Sequence, residues 1–346
     1  MNRRFGVPIS ASAIVIAFTL LAAVPVQGQA PPASGKTTAA AKAVLKTPWG
    51  DPNLQGLWTG STMTPLERRP ELAGREFLTK EEIAAAEKQA LDGRADRPPQ
   101  PGNVGTYNQL WFEPALKGSD GRTSLVVDPP DGRIPYTEVG KAAQERARVA
   151  YGRGPFNSWL DLDTGERCIT DGPPVYFGGY NNNYQIVQAP GYVAILHELY
   201  REPRIIRLGV TEHTNIPQLM GDAVGHWEGD TLVVESRNFP DTDSKGWRWQ
   251  DAWRTVRPST RIVERFRRVD AETIDYQFTW EDPTMYTRPW TAAYPLTSNP
   301  ASRGLADGGM FEYACHEANY GLVDILSGAR QQDKAAEALA KKGSTK

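Results

Sequence analysis

Gly225-His226-Trp227-Glu228-Gly229-Asp230-Thr231-Leu232-Val233-Val234-Glu235-Ser236 reads as a strand, a tight turn and a second strand. Gly229 suits the positive φ that such a turn demands, and Asp230 tolerates the same region. Residues 231–234 are rich in β-branched side chains, which fit a pleated, half-buried surface. Trp227, just before the turn, is placed to close the end of a core.

On either side of this hairpin, strands follow one another. The pattern predicts them over 184–187, 192–200, 204–210, 222–227, 231–236, 261–269, 273–280, 290–294 and 310–315. Their connections are mostly short and carry Gly, Pro, Asp and Asn. Sequential hairpins of this kind make an antiparallel meander, and about eight such strands close into an up-and-down barrel. A mainly β chain with a lipocalin-like barrel is therefore expected, with a β-sandwich as the alternative. Gly56-Leu57-Trp58, entering a strand, resembles the opening of lipocalin-like barrels.

Helices flank this body. Thr79 with Glu82 three residues on is a capping box, and the helix it starts runs to about 91. A second helix is expected over 138–151. A third follows 321, where Leu322, Ile325, Leu326 and Ala329 share a stripe. The organisation read from this is a signal peptide over 1–30 and a disordered lead-in over 31–46. A helical and loop region over 47–183, a β body over 184–316 and a C-terminal helix and tail over 317–346 complete it.

The first thirty residues carry Arg3 and Arg4, an apolar run over 14–26 and small residues at Gly28 and Ala30. That is the grammar of a secretory signal cleaved near Ala30. No later apolar run is long enough to span a bilayer, so no stable membrane insertion is expected. The chain of 346 residues has a net charge of −2, so nothing pulls it toward nucleic acid or anionic lipid. Its two cysteines, Cys168 and Cys315, invite a disulfide in an oxidising compartment. Two separate buried thiols are the other reading.

For chemistry the hairpin 261–281 is the most informative. Ile274, Tyr276, Phe278 and Trp280 alternate with polar residues, so one face is apolar. If Ile262 and Phe266 face the core, Glu264 points inward with them. A carboxylate there must be paired, hydrogen-bonded or protonated. Either it forms an ion pair with an Arg from a neighbouring strand, or it lines a cavity.

The four histidines are His197, His213, His226 and His316. None has metal-ligand spacing, and no phosphate loop, dinucleotide fingerprint or nucleophile elbow occurs. No cofactor is therefore expected. Glu264, His213, His226 and His316 are the candidate acid/base groups. Arg204, Arg267, Glu228, Tyr276 and Trp280 are the candidate ligand contacts, with Arg267 inward only if that strand turns its other face to the core. The expected partner is a small, partly apolar or aromatic molecule, either transformed by cofactor-independent acid/base chemistry or simply carried. The basic, aromatic stretch of Trp247-Arg248-Trp249 and Trp253-Arg254 offers a further surface for stacking on a planar or sugar ligand, or else is a capped loop packed on the barrel.

Several segments together resemble an uncharacterised family of exported, β-rich bacterial proteins. They include Thr47 to Pro52, Arg122 to Arg133, Gly225 to Val234, Val263-Glu264-Arg265-Phe266-Arg267-Arg268, Arg288-Pro289-Trp290-Thr291 and Glu312-Tyr313-Ala314-Cys315-His316-Glu317. The resemblance implies export and a β-rich body, with no activity attached. In that family a His-acid pair often precedes an Arg-Ile-Ile segment. Here Arg201-Glu202 stands in that place, so an acid/base role for that His does not carry over, while a later family His corresponds to His213.

Overall fold

The computed structural model describes residues 45–93, 120–150, 156–175, 181–201, 203–241, 253–298 and 310–343. The signal segment, the lead-in up to 44 and Trp247-Arg248-Trp249 lie outside them.

The hairpin around Gly229 is present. β6 (Asp222–Glu228) and β7 (Thr231–Arg237) pair antiparallel, with Glu228 opposite Thr231. Gly229 sits at φ +60, where a Cβ is disfavoured. Around it runs a sheet of β3 (Asn183–Ala189), β4 (Tyr192–His197), β5 (Pro203–Leu208), β6, β7, β8 (Arg261–Arg268), β9 (Thr273–Glu281) and β10 (Trp290–Thr297). β1 (Gly56–Thr59) pairs with β3 on one side and touches β10 through Thr59 and Thr297, so nine strands close a barrel. β2 (Val126–Asp128) lies along the first half of β10, the part that β1 does not reach.

The expectation of a purely antiparallel meander needs one correction. β5 and β6 run parallel, with Ile206 opposite Ala223 and Leu208 opposite Gly225. The connection over 209–221 is long enough to return the chain to the starting end, as parallel pairing requires. Gly225 permits the close approach. A Cβ there would stand 2.8 Å from Ile206 Cγ2. The barrel wall also draws β1 and β2 from the region before 184, so the β body is not confined to 184–316.

The expected strand over 310–315 does not form; its residues cross the mouth of the barrel instead. Phe311 donates its N–H to Glu198 Oε1 at 2.6 Å, and Tyr313 meets Tyr200 edge-on. Cys315, at its end, is bonded to Cys168, so the disulfide forms and neither cysteine is a free thiol.

The helices stand where caps and periodicity place them: α1 (Lys80–Gly93), α2 (Glu138–Ala150) and α3 (Tyr320–Gly343). The capping box at α1 is made reciprocally, Thr79 N to Glu82 Oε2 at 2.8 Å and Glu82 N to Thr79 Oγ1 at 3.2 Å. No described helix is long and apolar enough to cross a membrane.

The period-two alternation sends Ile262, Phe266, Ile274, Tyr276, Phe278, Trp280, Trp290 and Tyr294 inward, and all are buried. Trp253 enters from the 253–260 segment and packs edge-on to Trp280 and Trp290. Aromatic side chains of this size bury roughly 150–250 Å² each. They fill much of the lumen; among the described residues a pocket lies near the end where β4 finishes and β5 and β6 begin.

Candidate functional site

Four inward polar residues of separate strands meet inside the barrel. Glu264 of β8 is fully buried, as its alternation with Ile262 and Phe266 requires. Arg204 of β5 is paired with it across the lumen, not from a neighbouring strand. The same Arg204 Nη2 donates to Ser236 Oγ of β7 at 3.0 Å. Tyr276 of β9 donates its hydroxyl to Glu264 Oε1 at 2.9 Å. Burial pushes the Tyr276 phenol well above its ordinary value, and the Glu264 and Tyr294 beside it add to the rise. It therefore stays a donor.

Above this group the loop over 170–175 dips into the barrel mouth. Val175 donates its N–H to Tyr276 Oη at 3.0 Å, and its carbonyl accepts from Tyr294 Oη at 2.6 Å. Arg254 donates to the Gly172 carbonyl at 2.8 Å, and Thr170 donates to Met220 Sδ at 3.2 Å. A buried loop needs its backbone groups satisfied, and these contacts supply partners.

Between this loop and the ends of β4 and β5 lies a small pocket open to solvent. Val175, Ile195, Leu199 and Met220 give it apolar walls, Tyr184 and Tyr200 aromatic ones, and Asp171, His197 and Arg204 its polar points. His197 stacks on Tyr184 with ring centroids 4.3 Å apart. Burial pulls the His197 pKa down to about 4; Asp171 opposes that and Arg254 reinforces it. The imidazole is neutral at pH 7. Its Nε2 lies 3.1 Å from the Asn181 carbonyl. A carbonyl only accepts, so Nε2 carries the hydrogen and Nδ1 keeps a lone pair. Arg204 contributes from the floor, where its Nε is buried without a partner.

Among the proposed acid/base groups, only Glu264 faces the interior. His213 lies on the outer wall, 3.1 Å from Glu235 Oε1 and 3.3 Å from Asp222 Oδ2. Burial would raise the Glu235 carboxyl, but Arg237, Arg261 and His213 outweigh it and hold it near 2. His226 and Glu228 do pair, at 3.1 Å, yet they stand exposed outside with Arg265. His316 is exposed in a short 3-10 turn (His316–Ala318). These histidines do not converge on Glu264, because their strand positions alternate to the opposite face or lie beyond the barrel.

The ligand contacts divide in the same way. Arg204 lines the pocket and Tyr276 stands beneath it. Trp280 is sealed in the core, while Arg267 pairs with Asp275 on the outer wall, as the chosen facing of β8 dictates. His197 and Asp171 are the residues the sequence reading did not assign. His197 follows Val193 and Ile195 on the inward face of β4, and that alternation was the available signal. Asp171 belongs to a loop that no local pattern places. No family model, curated protein or solved structure matches the chain.

Proposed function

We propose that this is an exported small-molecule-binding β-barrel protein whose ligand sits at the barrel mouth, under the 170–175 loop. The observation that carries the reading is a pocket with apolar and aromatic walls whose lining also includes His197 and Arg204. A concave, mostly apolar site with a few convergent polar groups is the usual form of a small-molecule site. The Cys168–Cys315 disulfide supports an oxidising compartment, in keeping with the secretory segment and the resemblance to exported bacterial proteins.

Binding is favoured over acid/base turnover by the state of the candidate groups. Glu264 is occupied by Arg204 and Tyr276, and a His held near pKa 4 is a weak base at neutral pH.

The test is native mass spectrometry of unwashed protein from a periplasmic extract. The expected result is a bound mass that disappears in Leu199→Trp, a change that fills the pocket, while the far-UV spectrum is unchanged. A mass retained by a folded Leu199→Trp variant would place the ligand elsewhere and overturn the reading. So would failure to find any bound mass together with no thermal stabilisation by a small-molecule panel.

A further inference from the structure

The segment over 310–315 joins the two walls of the pocket. On one side Phe311 donates its N–H to Glu198 Oε1 at 2.6 Å, and its carbonyl accepts from Arg201 Nη2 at 2.5 Å. Tyr313 packs edge-on to Tyr200, a residue of the pocket wall. On the other side Cys315 is bonded to Cys168, which precedes the wall residue Thr170 in the chain. Cys168, Tyr200 and Arg201 all hold left-handed backbone, at φ +58, +61 and +54. Residues other than glycine keep such angles only where their surroundings hold them, and they gather at clamps and switches. Each of these three contacts the 310–315 segment. The bond is also asymmetric. Cys315 is partly exposed and Cys168 is buried. Asn319 donates its Nδ2–H to Cys168 Sγ at 3.1 Å.

Resting on the binding reading above, we infer that this disulfide is a reducible latch on the pocket. A thiolate of a small dithiol attacks the more exposed Cys315 at Sγ. The bond between the cysteines breaks, and Cys168 leaves as a thiolate beside the Asn319 N–H. A hydrogen bond to the departing sulfur favours its charged form. The second thiol of the reductant then displaces Cys315. Two electrons and two protons pass from the dithiol, which ends as its own disulfide, and both cysteines end as thiols. The 310–315 segment and the outer end of the 170–175 loop then part, opening the mouth. Val175 stays anchored to Tyr276 and Tyr294.

Dithiothreitol added to the full chain tests this with no ligand present, so the outcome does not depend on whether the pocket binds one. Backbone amide NMR spectra of the oxidised and reduced protein are expected to differ over 170–172, 198–201 and 310–313, and to coincide at Val175 and through β7, β8 and β9. Asn319→Asp keeps an oxygen for the Leu322 N–H at the start of α3 but removes the donor at sulfur. It is expected to slow reduction, followed by thiol titration, by about fivefold or more. Changes confined to the residues next to the two cysteines overturn the latch, because the bond then does not hold the walls together. Changes that run through β7 to β9 overturn it as well, because the bond then supports the whole barrel. Reduction of Asn319→Asp as fast as that of the unaltered chain overturns the part assigned to Asn319.

Discussion

At the scale of single residues, Glu264 shows how a buried charge is tolerated. It has Arg204 and Tyr276 as partners, and the Val175 N–H lies 3.4 Å from Oε1. Removing one partner of a buried pair strands the other charge, which typically costs about 3–5 kcal/mol. Glu264→Ala is therefore expected to lower stability by that amount in urea denaturation; a cost within the range of a surface substitution would contradict the arrangement. His197 behaves in the opposite sense. Its folded pKa, about 4, lies below the ordinary value of 6.5, so the unfolded chain binds the extra proton between those pH values. Stability should fall as pH drops through that window, and the part due to His197 should vanish in His197→Gln. Asp171, Arg254, Tyr184 and the Asn181 carbonyl face this ring, and the first two set opposing contributions. Thermal melts of the two proteins from pH 7 to pH 4 measure the difference.

The parallel joint between β5 and β6 is the informative feature at the scale of elements. Every other neighbouring pair in the sheet is antiparallel, and the inward faces follow the simple alternation of residues 274–280. At the joint, Gly225 is pressed by Ile206 and Leu208, with a Cβ predicted to fall 2.8 Å and 3.1 Å from their methyl carbons. Both neighbours are tied into the barrel, so they cannot retreat freely. Gly225→Ala should cost about 1–3 kcal/mol, as overpacking does. Equilibrium denaturation with unchanged stability would show that β5 has room to move away. The outer faces of β6 to β9 carry the complementary lesson. Glu235, Arg261 and Glu281 form a cross-strand ion-pair ladder there, at 2.5 Å and 2.6 Å, which accounts for the charged residues that alternate with the core.

For the molecule as a whole, the Cys168–Cys315 bond ties the segment crossing the barrel mouth to the region that leads into the 170–175 loop. The cysteines are 147 residues apart. In the chain-entropy model, closing such a loop restrains the unfolded chain by about 4–5 kcal/mol. The Cys168→Ser/Cys315→Ser double variant should melt at a lower temperature and be cut sooner by protease within 310–319. An unchanged melting temperature and digestion pattern would show that the other contacts of that segment, such as Phe311 to Glu198, hold it without the bond.

The sequence by itself determined the β-rich class, the Gly229 turn, the helix caps and the inward direction of Glu264, Tyr276 and Trp280. These follow from local rules: a two-residue period, a φ that favours glycine, and side chains that satisfy the first turn of a helix. It also offered the cysteine pair, without saying whether the two would meet. Tertiary structure alone decided the parallel joint, the closure of β1 on β10 and the choice of polar groups that share one pocket. The reason is distance along the chain. Val175 reaches Tyr276 and Arg204 reaches Glu264 only after the barrel closes, and no local periodicity encodes a meeting between residues so far apart. His213 and His226 were as visible in the sequence as His197, but the side of the barrel wall on which each stands separates them.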